Sequence, residues 1–287
     1  MRLVSYQSTS GPKIAALSGE KYIDLSGAGL PDSMRAVLAM GDIGLRRAEE
    51  IAADGRELAA SSVSRLLAPV PDARKVICVG LNYADHARES GAMPPDEPVL
   101  FNKFPTALLG HGEPIILPRN SQEVDYEAEL VVVIGRGGRH ITRQRAYDHV
   151  AGYCPGHDVS ARDWQLRKPG KQWLLGKTFD TFAPCGPALV TRDEVPDPNK
   201  LAIRFRLNGE TLQDSNTSQF IFPVDEIVSY VSQVCTLEPG DLIFTGTPPG
   251  VGFARKPPRF MKPGDTAEVE IEGLGILKNP VVAEAQS

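Results

Sequence analysis

The stretch QEVDYEAELVVVIG, residues 122–135, sets Asp125, Glu127 and Glu129 on alternate positions and then runs into an apolar segment. In a β-strand, residues two apart point to one face, so the three carboxylates share a face if the strand begins that early. Carboxylates this close repel one another, and burial sharpens the repulsion, so the arrangement calls for positive charge. Oxygen ligands alone select Mg2+, Mn2+ or Ca2+ over zinc. Taken by itself, so short a motif describes a solvated acidic edge far more often than a metal site. A second segment, GYCPGHDVSARDWQ, shifts that balance. It gathers His157, Asp158, Arg162, Asp163 and Gln165 on what reads as a Gly- and Pro-containing loop after a helix. Polar groups clustered on such a loop are more suggestive of function than polar groups on a helix surface.

Two further segments carry candidate groups. In VGLNYADHARESG, His86 and Glu89 stand three apart, on one face if the segment is helical. A carboxylate orienting an imidazole suits a general-base pair, and a solvated helix start serves the spacing equally well. In KQWLLGKTFDTF, Lys177 follows an apolar run, and spacing alone favours a surface lysine. Two glycine-rich stretches do not read as nucleotide sites. IGRGGRH lacks the third glycine of a dinucleotide fingerprint. FTGTPPGVGFARK has adjacent prolines, which remove N–H groups that a phosphate cradle needs.

The elements that must position these groups are mostly strands. The chain has 27 Gly and 24 Pro in 287 residues, and these punctuate many short apolar segments. Strands are expected at LVSYQ, KIAAL, YIDLS, KVICVG, VLFNK, AELVVVIG, GPALVT, AIRFRLNGE, DLIFTG and AEVEIEGLG. Helices are expected around MRAVLAM, LRRAEEIAAD and ITRQRAYDHVAGY, the last capped by Thr142. Another is expected in FPVDEIVSYVSQVCTLEPG, with Ile227, Val228, Val231 and Val234 at helical intervals and a stop at Pro239-Gly240. LNGE and EPGD read as turns. Strands so outnumber helices that the expectation is a β-rich α+β fold, not a doubly wound parallel sheet. Pro69 and Pro71 precede a new strand and place a boundary near residue 70, giving a small N-terminal domain, 1–70, and a main domain, 71–287.

Composition narrows the function classes. Net charge is −5 with no run of Lys or Arg, which argues against a nucleic-acid partner. The longest apolar run, LVVVI, is far short of the roughly 20 residues a membrane-spanning helix needs. The N-terminus shows no signal-peptide pattern. Cys78, Cys154, Cys185 and Cys235 are scattered without a CxxC, as expected of reduced thiols in a cytoplasmic protein.

Together KVICVGLNYADHARESG, PVLFNKF, QEVDYEAELVVVIG, HDVSARDWQ, GKQWLLGKTFDTFAPCGP, NGE and GDLIFTGTPPGVG resemble the fumarylacetoacetate hydrolase (FAH) superfamily, and within it the FAH-domain-containing protein 2 branch. The likeness is collinear over about residues 71 to 282, and the first seventy resemble the variable N-terminal domain of relatives. It implies a mixed β-sandwich roll behind a small N-terminal α+β domain, usually as a homodimer. It implies a Mg2+, with Mn2+ or Ca2+ as substitutes, held by Glu127, Glu129 and Asp158. Gln165 and Thr247 would bind substrate, and Lys177, His86 and Glu89 would be catalytic. Asp125 is not a usual ligand and is expected to support the ligands or lie exposed. The activity expected first is hydrolysis of a C–C bond in a 2,4-dioxo acid of acylpyruvate type, through a metal-held pyruvate enolate. The alternative uses the same enolate: an oxaloacetate tautomerase or decarboxylase, or a 2-oxo-acid hydratase or isomerase. In either case the partner is a small 2-oxo acid. The loop FARKPPRFMKPG is expected to border the distal pocket, with Arg255, Lys256 and Arg259 solvated.

Overall fold

The computed structural model describes residues 1–85, 88 and 93–285. Among them one large mixed sheet organises the chain. Its strands run in the spatial order Lys21–Asp24, Gly11–Ser18, Arg2–Ser8, Leu189–Thr191, Val150–His157, Ala128–Ile134, Leu242–Phe244, Val76–Gly80 and Val99–Lys103. A second sheet orders Glu210–Asn216, Ala202–Leu207, Thr266–Ile271, Gly275–Ala283 and Ile115–Leu117. Most neighbours are antiparallel. Leu242–Phe244 runs parallel to Val76–Gly80, and Gly275–Ala283 parallel to Ile115–Leu117. The large sheet crosses the position near residue 70, because Leu3 pairs with Leu189.

The period of two explains how the layers stack. Every residue of Ala128–Ile134 is buried. Ala128, Leu130, Val132 and Ile134 join a core with Phe205 and Val269 of the second sheet and Ile227 and Val228 of a helix. Val131 and Val133 join a different core with Met34, Val37 and Ala48. These belong to the helices Met34–Ala39 and Asp42–Asp54, so the large sheet lies between helices and a second sheet. Glu127 and Glu129 continue the Val131, Val133 side of the alternation. The turn in LNGE is a tight hairpin, with Asn208 at φ 54° and Gly209 at φ 81°, the left-handed pair that favours Asn-Gly.

Three local expectations change. The helix expected over ITRQRAYDHVAGY is a 3-10 turn, Arg143–His149, followed by a strand, and Thr142 makes no side-chain cap bond. Val150–His157 is that strand, wholly buried between Ala128–Ile134 and Leu189–Thr191. Gly152 and Pro155 weaken helix there, and the central sheet position offers burial on both faces. The segment from His157 to Gln165 is therefore not one loop: it ends that strand, forms the short strand Ser160–Ala161, and enters the helix Arg162–Arg167. In the helix Val224–Val234 the apolar stripe buries Ile227, Val228 and Val231 as expected, but Val234 is exposed at the C-terminal end.

Candidate functional site

Strand register brings the acids together. Ala128 pairs with His157, and the Asp158 N–H donates to the Glu127 carbonyl at 2.9 Å, so Asp158 extends the ladder opposite Glu127. Glu129 pairs with Gly156, where a Cβ would come within 2.3 Å of Val131 and 2.8 Å of the Phe244 ring. One carboxylate oxygen from each of Glu127, Glu129 and Asp158 lies within 4.8 Å of the others, and all three residues are buried. They line a cavity of about 390 Å³ with Arg162, Gln165, Lys177 and Thr247.

Four buried carboxylates, counting Asp125, face three buried cations. Lys177 Nζ donates to Glu127 Oε2 and Asp158 Oδ2, each at 2.8 Å. Arg162 donates through Nη2 to Glu127 at 2.6 Å, through Nε to Asp125 at 2.8 Å, and through Nη1 to the Gln165 side-chain oxygen at 2.8 Å. Lys103 Nζ donates to the carbonyls of Val159, Lys177 and Phe182. It also lies 2.6 Å from Asp158 Oδ1, a charge contact outside hydrogen-bond geometry. Burial pushes the Glu127 carboxyl up, but the Lys177 ammonium and the Arg162 guanidinium outweigh it and hold it at about 2. Glu129 goes the other way. Burial, then repulsion from Asp158 and Glu127, drives its carboxyl well above the usual carboxylate range. It accepts a hydrogen bond from the Gly246 N–H at 2.8 Å and has no ion pair to a cation among the described residues. A buried, all-oxygen, over-acidic cluster fits a hard divalent cation, which would relieve the repulsion that falls on Glu129.

Glu127, Glu129, Asp158, Lys177, Gln165 and Thr247 are thus brought to one cavity. The spacing-based reading of Lys177 as a surface lysine fails, because it is buried at the C-terminal end of the helix Leu174–Lys177. Thr247 Oγ1 accepts from Gln213 Nε2 at 2.9 Å. His86 and Glu89 lie outside the described residues. Asp125 is not exposed: fully buried, it accepts from Arg162 and from the N–H groups of Gly252 and Phe253. Nor is Arg255 simply solvated, since it donates to the Tyr126 hydroxyl and to the carbonyls of Gly250 and Leu212. Arg259 pairs with Glu210. The glycine-rich turn after Phe244 serves carboxylates through its N–H groups, with no phosphate needed. Sequence reasoning assigned no role to Arg162 or Lys103. The available signal was a basic residue beside or ending an apolar strand, in SARD and in LFNK.

Known proteins resemble this chain in sequence and in fold. Residues 75–282 match the family described as fumarylacetoacetate (FAA) hydrolase C-terminal. A mitochondrial oxaloacetate tautomerase of Bos taurus is 51% identical over 288 residues, covering 98% of this chain and 92% of that protein. A fumarylacetoacetate hydrolase domain-containing protein 2 homolog of Dictyostelium discoideum is 46% identical, covering 98% and 97%. Among solved structures, a fumarylacetoacetate hydrolase from the psychrophile Exiguobacterium antarcticum is 37% identical with a TM-score of 0.85, covering 99% of this chain and 100% of that one. The names of the relatives overturn two expectations. C–C hydrolysis as the main activity gives way, since near-full-length relatives are named tautomerases. Cytoplasmic placement gives way because the same names say mitochondrial. Among the described residues no helix is long and apolar enough to cross a membrane. From its motifs, its sheets and its relatives alike, this chain belongs to the fumarylacetoacetate hydrolase family, in the branch of the FAH-domain-containing protein 2 relatives.

Proposed function

We propose that this enzyme interconverts the keto and enol forms of a small 2-oxo acid, with oxaloacetate the first candidate. The observation that carries this reading is the cluster of buried Glu127, Glu129 and Asp158 carboxylates at the cavity, a site for the cation that an enolate needs. The names of the relatives point to the same reaction. Glu127, Glu129 and Asp158 would hold a divalent cation, Mg2+ by the hardness of its oxygen donors. When bound, such an ion supplies a Lewis acid that stabilises negative charge on a keto oxygen.

The chain's own groups do the rest. Burial lowers the Lys177 ammonium's pKa, but Asp158 and Glu127 outweigh it and keep the group positive beside the acids. A fixed ammonium at the cavity stabilises charge that grows on an oxygen there, and water has little part where the groups are buried. Gln165, its oxygen occupied by Arg162, keeps its amide N–H groups for a ligand. Thr247, turned by Gln213, can donate its hydroxyl proton to a substrate carboxylate. Arg162 positions Glu127 and Gln165 together and stays charged, raised by Asp125 and Glu127 against burial.

The test follows the decay of the oxaloacetate enol absorbance with chelator-stripped and Mg2+-restored protein. Acceleration that requires the metal, without release of carbon dioxide, supports the reading. Equal rates in both preparations overturn it, and carbon dioxide release moves the assignment to a decarboxylase. The homodimer implied by the family is part of this reading, and light scattering in solution tests it.

A further inference from the structure

The polar end of the cavity continues into an apolar wall. Phe101, on the strand Val99–Lys103, meets Trp173 edge to face, with ring centroids 5.5 Å apart. Lys177 Nζ sits 5.0 Å from the Phe101 ring centre, so the wall begins at the charged cluster itself. Trp173 lies against Gly80, where a Cβ would come within 2.5 Å of the indole. A side chain at position 80 would therefore push the indole off the wall. Leu166, Val251 and Phe253 extend the apolar surface. Leu166 and Phe253 are about half exposed, at 45% and 46%, as apolar side chains at the mouth of a binding cavity are.

The charges of the cavity are already committed. Among the described lining residues the cations are Arg162 and Lys177, and each is bonded to two carboxylates. A second carboxylate on a substrate would therefore find no uncommitted cation among the described lining residues. Set against the wall it would be desolvated without a partner, so it must stay at the wet mouth. An aryl or branched alkyl group gains where that carboxylate loses. The volume, about 390 Å³, falls within the range of small-ligand pockets, roughly 300–1,000 Å³.

We propose that this site also enolises 2-oxo acids bearing an aryl or bulky alkyl group at C3, with Phe101 and Trp173 as the residues that select for it. The proposal rests on the 2-oxo-acid tautomerase reading above. The step balances without a co-reactant. The C3–H bond breaks, its electron pair becomes the C2–C3 double bond, and a proton ends on the C2 oxygen. Nothing is oxidised or reduced.

Phenylpyruvate is the probe, with oxaloacetate measured on the same Mg2+-loaded preparation. The expected result is acceleration of enol–keto exchange for both acids. Trp173→Ala should lower the phenylpyruvate-to-oxaloacetate ratio of kcat/KM by about tenfold, through KM, as lost uniform binding requires. Gly80→Ala should move the ratio in the same direction by displacing the indole. Trp173→Phe should restore most of the ratio and controls for misfolding of the alanine variant. Oxaloacetate turnover without phenylpyruvate turnover overturns the proposal and leaves the tautomerase reading standing. No acceleration of either acid defeats that reading itself. Equal losses for both acids in Trp173→Ala overturn the role given to the wall.

Discussion

An acid cluster lies at each end of the strand Ala128–Ile134, and the two are built differently. Beyond its C-terminal end, Ile134 exchanges backbone hydrogen bonds with Gly240 and Asp241. There Asp241 is fully buried, but its partners reach water. Lys75 Nζ lies 2.8 Å from Asp241 and 3.0 Å from Glu238, and Arg74 reaches Glu238 at 2.9 Å. Lys75 is 29% exposed, Glu238 39% and Arg74 60%. Two acids meet two bases, and solvent screens the remainder. At the N-terminal end Glu127, Glu129, Asp158 and Asp125 outnumber Arg162, Lys177 and Lys103, and all are buried. A balanced and wet cluster ties the Glu238–Asp241 turn to the strand ahead of Val76. An over-acidic and dry one costs stability, so the repulsion it stores is available to a bound cation.

Replacing Glu129 breaks this contrast most completely. Glu129→Gln should abolish Mg2+-dependent oxaloacetate exchange and strip measurable Mg2+ binding in a calorimetric titration. In chelator, the same variant should melt at or above the wild-type temperature. Glu129's folded pKa is raised above its unfolded value, so the unfolded chain gives up this proton first as pH rises above about 4.5. Wild-type stability from this group is therefore present below that pH and declines as pH rises toward the folded pKa. The variant has no such decline, so the gap between the two melting curves should widen with pH. A metal-free variant that melts below the wild type at neutral and alkaline pH would remove the claim of stored repulsion.

That contrast explains what the sequence could and could not disclose. Alternation along 125–133 predicts the shared face of Glu127 and Glu129, because a strand's geometry is local. It cannot tell a solvated edge from a central strand, since burial here comes from neighbours at Val150–His157 and Leu242–Phe244, distant in the chain. Val150–His157 itself is missed for the same reason: its first half reads as the end of a helix and its second half, with Pro155 and Gly156, as a loop until two flanking strands bury it. Lys177 looks like a surface lysine because its partners, Glu127 and Asp158, are 50 and 19 residues away. Only the long collinear motifs of the family resemblance carry such distant pairings. Even they left Lys103 and Arg162 without roles, since both act on groups already in the site.

Lys103 sharpens the comparison as a buried cation that no solvent screens. Lys103→Met removes the donor shared by three backbone carbonyls around the site and leaves Asp158 with Lys177 as its remaining described cation. Losing one side of a buried charge pair costs about 3–5 kcal/mol. Chemical denaturation should show a loss of that order. Mg2+ affinity should fall as well, because the Val159, Lys177 and Phe182 segments are no longer drawn to one point. A variant of wild-type stability would mean that water replaces the ammonium at those carbonyls.

The far cluster should give the smallest effects, and two of its members should differ from each other. Asp241→Ala leaves the Glu238 N–H without its acceptor and Lys75 with only Glu238. A lost partner for a buried donor costs about 1–3 kcal/mol, and these part-buried donors should fall at the low end of that range. Arg74→Ala removes a pair that is largely exposed, and such pairs contribute roughly 0–1 kcal/mol. Denaturation midpoints should therefore separate the two variants by burial, although both sit in one ion-pair cluster. Neither residue lines the cavity, so both variants should keep wild-type oxaloacetate exchange at temperatures where they are folded. Loss of exchange in folded Asp241→Ala would show that the two ends of Ala128–Ile134 are coupled, and that the contrast between a structural cluster and a functional one is drawn too sharply.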